Sequence, residues 1–217
     1  MRTPKRAGSA LFTVAAAALA VGLGATTALA ATTLTVKVTN GGAYKATAPA
    51  TVLTDRGVGV TCSSSSTAKA STATGSIPTA ATTGTSPVKI GTVATLIFKN
   101  CTGPLGKVTI TVNSLPYSVK ADSKTNSAGQ TDVMITGVKT SVSMKGCSFT
   151  VTGSAPGFYT NSTHMLKMRP VLPITPLNKA QLTVSNVAGC GGRVRNGDHP
   201  AYKATYTLNR AIKISSK

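Results

Sequence analysis

The feature that most constrains this chain is a period of two. Leu34-Thr35-Val36-Lys37-Val38-Thr39 sets three apolar side chains on one face and Thr, Lys, Thr on the other. Val108-Thr109-Ile110-Thr111-Val112 repeats the scheme. In the run Val138 to Lys145, Val138, Thr140, Val142 and Met144 share one face, while Lys139, Ser141, Ser143 and Lys145 share the other. Tyr202 to Leu208 and Ile212-Lys213-Ile214 follow the same rule. Successive side chains of a strand point to opposite faces, so such runs suit half-buried strands and give a helix no continuous apolar stripe. Composition agrees: from residue 31 onward the chain has 32 Thr and 18 Val. Branched side chains pack well on a pleated surface. No amphipathic helix is expected after residue 30. The expected fold is all-β, an antiparallel β-sandwich or partly open barrel. Asn40-Gly41-Gly42 reads as a hairpin turn, and Gly103-Pro104-Leu105-Gly106 and Gly191-Gly192 as further turns.

Residues 1–30 read as a secretory signal peptide, with Arg2, Lys5 and Arg6 ahead of the apolar run Ala10 to Leu23, and Ala28-Leu29-Ala30 at the cleavage point. The expected mature protein is residues 31–217, secreted and extracellular, with no transmembrane segment. Its four cysteines, Cys62, Cys101, Cys147 and Cys190, imply two disulfides in an oxidising compartment. Three pairings are open, and the lower cost of closing local loops favours Cys62–Cys101 with Cys147–Cys190. There is no CxxC, so no metal site is expected, and nothing calls for a cofactor.

Residues 63–87 hold seven Ser, seven Thr and five Ala among 25 residues. They read as a flexible loop, with a polar edge strand or hairpin as the alternative. Met168 to Pro176 carries three prolines and reads as irregular. The cysteine spacing suggests two related halves, 31–121 and 122–217.

Catalytic parts are scarce. There is no Glu, and the acids are Asp55, Asp122, Asp132 and Asp198. A Ser-His-Asp triad would need His164 or His199 as its base. Asn196-Gly197-Asp198-His199-Pro200 reads better as a turn in which Asp198 accepts local backbone bonds. Asp122 and Asp132, either side of the Lys124 to Gly129 turn, read as solvated loop acids. The expectation is a protein that is not an enzyme.

Charge invites a partner. The mature chain keeps 20 Lys and Arg against four Asp, a net +16. Lys37, Lys107, Lys139, Lys145, Lys203 and Lys213 fall on the polar faces of strands. Together they suggest a broad positive surface for anionic polymers of a cell wall or envelope. Specific nucleic-acid recognition is not expected, since aromatic platforms are missing. A protein-binding module or inhibitor using residues 63–87 is the second reading, and a secreted hydrolase the third.

Two short blocks carry a resemblance. One is Asn100-Cys101-Thr102-Gly103-Pro104-Leu105-Gly106, followed by Leu115-Pro116. The other is Val187-Ala188-Gly189-Cys190-Gly191-Gly192, with Asn196-Gly197-Asp198, Pro200-Ala201 and Tyr206. The chain resembles small exported actinobacterial proteins of unknown function. His199 departs from their Asn-Gly-Asp-Pro join. The resemblance implies a secreted, two-disulfide β protein and brings no catalytic residue with it.

Overall fold

The alternating runs become strands in a computed structural model, which describes residues 33–56, 58–64, 69–170 and 181–217. Sixteen strands occur among them: β1 Thr33–Thr39, β2 Gly42–Ala48, β3 Ala50–Asp55, β4 Val58–Ser63, β5 Ser71–Ile77, β6 Ala80–Thr85, β7 Val88–Ile97 and β8 Cys101–Gly103. The rest are β9 Gly106–Val112, β10 Tyr117–Ala121, β11 Gln130–Met144, β12 Cys147–Thr160, β13 Met165–Met168, β14 Leu182–Ala188, β15 Ala201–Leu208 and β16 Lys213–Ser216. The described residues contain no helix long and apolar enough to cross a membrane. The all-β expectation holds. The signal-peptide reading concerns residues outside those described.

A small sheet runs β16-β1-β6. A second sheet runs β14-β12-β13-β15-β2-β5-β7-β10-β11-β9-β8-β4-β3. In the second, β12 also pairs with β11, so β12-β13-β15-β2-β5-β7-β10-β11 closes into a ring. β15 also pairs with β3, so β9, β8, β4 and β3 close a second route around the same interior. Where the sequence suggested a sandwich or a partly open barrel, the sheet is closed by pairing, which leaves fewer exposed strand edges.

Two long strands make the double route possible because each changes partner halfway. β11 pairs with β10 through residues 133–136 and with β9 through residues 140–144. The register against β12 shifts between Thr136 and Val138, and Gly137 sits there with φ +80°. That is a bulge built on a left-handed glycine, which bends the strand toward its second partner. β12 pairs with β13 from Gly157 onward and with β14 up to Gly153, where φ is +122°.

The halves 31–121 and 122–217 do not fold as separate bodies. β16 completes β1, and β15 completes both β2 and β3, so each half supplies the pairing edges the other lacks. One buried cluster joins residues from Leu34 to Ile214, and residues 31–217 form one compact unit. Both favoured disulfides form: Cys62–Cys101 between facing positions of β4 and β8, and Cys147–Cys190 between the start of β12 and the loop after β14.

Three sequence expectations need correction. Residues 63–87 are not a flexible loop, because β5 and β6 occupy most of the segment. β5 is an interior strand between β2 and β7, and β6 is an exposed edge strand paired only to β1. Residues 65–68 lie outside those described. Bulk was the wrong criterion here: β5 gains ladder bonds on both sides, and Ala73 and Ile77 suffice to face the core. Asn40-Gly41-Gly42 is not a hairpin turn, since β1 and β2 belong to different sheets. Asn40, at φ 55°, turns the chain from one sheet to the next. Asp132 is no loop acid: it lies in β11 with no exposed surface, and its N–H donates to Ser123 Oγ at 3.0 Å. The proline-rich stretch is irregular at Arg169 and Pro170, and its remainder from residue 171 lies outside the described residues.

Candidate functional site

All six lysines singled out from the sequence are exposed, and the pairing sorts them onto two surfaces. On the small sheet, Lys37 stands opposite Ser215, and Lys213 opposite Thr39. Lys217, which the sequence reading passed over, joins them: its N–H donates to the Thr35 carbonyl at 3.0 Å, so it continues that face. The face is otherwise hydroxyl-lined, with Thr35 and Thr83 bonded through their side chains at 3.0 Å. Its reverse carries Leu34, Val36, Val38 and Ile214 into the core.

The other four lysines stand on the outer wall of the large sheet. One cross-strand row runs Lys203, Val52, Thr61, Thr102, Lys107, each facing the next. At about 4.8 Å per strand, the two lysines are roughly 19 Å apart. Lys107 and Lys145 lie one step beyond the Val108–Met144 pair, and so end the β9–β11 ladder together. Between Lys145 and Lys139 the wall shows Ser143 and Ser141, facing Thr109 and Thr111 of β9 and Ser148 and Thr150 of β12. The sequence reading also missed Lys89 and Lys120, which face one another across β7 and β10. Both stand between apolar neighbours in alternating runs, so the signal was present. Like charges directly opposite repel, and a bound anion relieves that cost.

A second constellation gathers two of the four acids. Asp55 ends β3, and Asp198 sits in the loop before β15. Arg56 Nε donates to Asp198 Oδ1 at 2.8 Å, and the Arg195 N–H donates to Oδ2 at 2.7 Å. The expected turn with local backbone bonds to Asp198 is therefore present, and it also docks the β3–β4 connection. Asp55 lies beside Asp198 and interacts with it. Burial and the neighbouring carboxylate push Asp55 upward, against the opposing pull of Arg56 and His199. Burial alone would raise Asp198 as well, but the bonds from Arg56, Arg195 and Asp55 outweigh it and hold Asp198 below the usual carboxylate range. Asp55 thus keeps its proton to higher pH than an isolated acid would, beside an Asp198 that stays ionised to lower pH.

The signs follow from linkage. Where folded Asp55 keeps a proton that the unfolded chain has lost, stability falls as pH rises. Where folded Asp198 has lost a proton that the unfolded chain still holds, stability rises with pH. Asp55→Asn keeps a donor toward Asp198 and removes the first cost. Its Tm is expected to exceed that of the native protein at pH 7, the gap closing toward pH 4. Asp198→Asn is expected to lower Tm at pH 7 and to matter less in acid. Thermal unfolding at the two pH values checks both, and a D55N protein less stable at pH 7 would contradict the upward push on Asp55.

His199 acts on Asp55 through its charge, while its ring bonds to the backbone. His199 Nδ1 lies 3.1 Å from the Leu182 carbonyl, which can only accept, so that nitrogen donates to backbone rather than to an aspartate. His164 lies in the turn before β13 at φ 54°, and its carbonyl accepts the Leu208 N–H. Compared with protein-family models, with curated proteins and with solved structures, the chain finds no match.

Proposed function

We propose that this is a secreted, non-enzymatic protein that binds anionic polymers of a cell envelope. The observation that supports the reading best is the hydroxyl-lined outer wall carrying Lys107, Lys139, Lys145 and Lys203 at its margins. Four aspartates cannot neutralise 20 cations, and one of the four, Asp132, is fully buried. The excess therefore acts outward, where a summed positive field concentrates polyanions. Dispersed lysines among Thr and Ser suit a flexible polymer with evenly spaced charges, such as a polyol phosphate, better than a folded partner. Release into an oxidising space agrees with both disulfides. The resemblance of two short blocks to small exported actinobacterial proteins is in keeping with such a role.

The test is charge removal on one wall. The triple variant K107Q/K139Q/K145Q is expected to lose about fivefold in affinity per lysine for a soluble polyphosphate at low salt, using roughly 1 kcal/mol per cation at an anionic surface. K37Q/K213Q, on the other sheet, is expected to change it far less. Equal losses from both variants would replace the wall by a uniform field.

A further inference from the structure

The barrel is not filled. Its interior encloses a cavity of about 110 Å3, walled by side chains such as Leu53, Val93, Val151 and Ala155. All five tyrosines of the chain border it. Each turns its hydroxyl into the wall or onto a neighbour. Tyr44 donates to the Thr92 carbonyl at 3.1 Å, Tyr117 to the Lys139 carbonyl at 2.6 Å and Tyr159 to the Ile212 carbonyl at 2.7 Å. The Tyr202 and Tyr206 hydroxyls bond each other at 2.8 Å. What remains toward the cavity is mostly ring face and aliphatic carbon, with Thr51 and Thr140 the hydroxyl residues of the lining. Burial holds the Tyr159 and Tyr206 phenols up at about 12, so the lining stays uncharged. A dry apolar cavity of this kind binds apolar groups rather than water.

The cavity has one distinctive border. β9 pairs with β8 only at Gly106 and Lys107, and beyond them its edge has no β8 partner. A surface groove lies there, between the chain from Phe98 to Thr102 and the β9 residues Lys107 to Ile110, with Lys69 beside it. Phe98 and Ile110 line both the groove and the cavity. They are the partition between the two, and neither is fully buried. The two large apolar side chains that stand exposed among the described residues are Ile97 and Leu105. One precedes Phe98, and the other tips the β8–β9 hairpin that forms the groove's far side. Lysines 69, 99 and 107 ring the same groove. The apolar interior, the Phe98–Ile110 partition and a cationic rim adjoin one another.

We propose that this site binds a free single-chain anionic amphiphile, a medium-chain carboxylate, with its tail past Phe98 and Ile110 and its head at Lys69 and Lys107. The volume sets the chain class. A cavity of ~150 Å3 holds benzene, so about 110 Å3 accepts roughly the last four carbons of a chain. The remaining methylenes lie in the groove against Phe98 and Ile110. A two-chain lipid does not fit. This site is separate from the polymer-binding wall except at Lys107, and neither reading depends on the other.

The test titrates the oxidised protein with decanoate carrying a 13C-labelled terminal methyl, followed by NMR. The methyl is expected to cross-relax with tyrosine ring protons and the Ala155 methyl. Each methylene removed from the probe is expected to weaken binding about fourfold. Decyltrimethylammonium, with the same tail and the opposite head, is expected to bind at least tenfold more weakly. K69Q/K107Q is expected to weaken decanoate about tenfold and to leave decanol unchanged. Ala155→Leu fills the cavity and is expected to abolish the methyl contacts while leaving polyphosphate binding intact. If that variant fails to fold, the head-group comparison and the lysine pair still decide. Equal binding of the cationic probe, a terminal methyl that contacts only surface residues, or binding to phosphatidylglycerol vesicles with none to decanoate monomers would each overturn the proposal.

Discussion

Breaking both disulfides is expected to unfold the protein at room temperature. Cys62–Cys101 joins residues 39 apart in sequence and Cys147–Cys190 residues 43 apart. Opening a loop of that size releases about 4 kcal/mol of unfolded-state entropy by the chain model. Two such losses approach the whole stability of an ordinary domain, roughly 5–15 kcal/mol. The dependence is also local. β8 is only three residues long, with two register pairs to β4 and two to β9, and the disulfide fixes it between them. The C62A/C101A variant alone is expected to lower Tm by about 10 °C, at roughly 2–4 °C per kcal/mol for a chain of this length. Calorimetry of the oxidised, reduced and doubly substituted proteins measures it. A shift under about 3 °C would show that the barrel's pairing holds without the links.

The second large effect is expected at Gly153, where β12 exchanges partners. Its φ of +122° lies in a region that side-chain-bearing residues rarely adopt, and an added Cβ would come 2.2 Å from the Gln181 carbonyl oxygen. That oxygen also accepts the Ser154 N–H at 3.1 Å, so it cannot retreat without losing a bond. Gly153→Ala is expected to cost about 3 kcal/mol or more, combining backbone strain with displacement of the segment leading into β14. Gly137→Ala is the informative comparison. Gly137 also has a positive φ, at +80°, but an added Cβ meets nothing within 4 Å. Only conformational strain remains, about 1–2 kcal/mol. Urea unfolding of the two variants should therefore rank them clearly. Equal losses would mean that the close approach at Gln181 relaxes freely.

Much of this architecture is legible from side-chain alternation. The runs at 34–39, 108–112, 138–144 and 202–208 are strands, and their Ser and Lys positions and every Thr except Thr140, which is buried with the apolar face, look outward because the period of two leaves no other choice. The disulfide pairing followed from loop closure. What alternation cannot convey is which strand lies beside which. Asn40-Gly41-Gly42 has hairpin chemistry yet joins two sheets, because β1 finds better partners in β6 and in β16 at the far end of the chain. Residues 71–77 lack bulk and look like a loop, but interior pairing supplies their stability and needs only Ala73 and Ile77 on the core side. The same limit hid the site geometry. Asp55 and Asp198 are far apart in sequence and meet only through the closed sheet. The row joining Lys203 to Lys107 crosses five strands from three distant parts of the chain. The cavity was invisible for a similar reason: each strand shows an ordinary apolar face, and only closure leaves the enclosed faces too far apart to fill the space.

Retention on purified cell walls, compared before and after removal of their teichoic acid and across a salt series, tests envelope binding most directly. Retention on intact walls is expected to be strong at low ionic strength and to fall steeply as salt rises, with stripped walls retaining little at any salt. Equal retention on stripped and intact walls, or retention indifferent to salt, would contradict it.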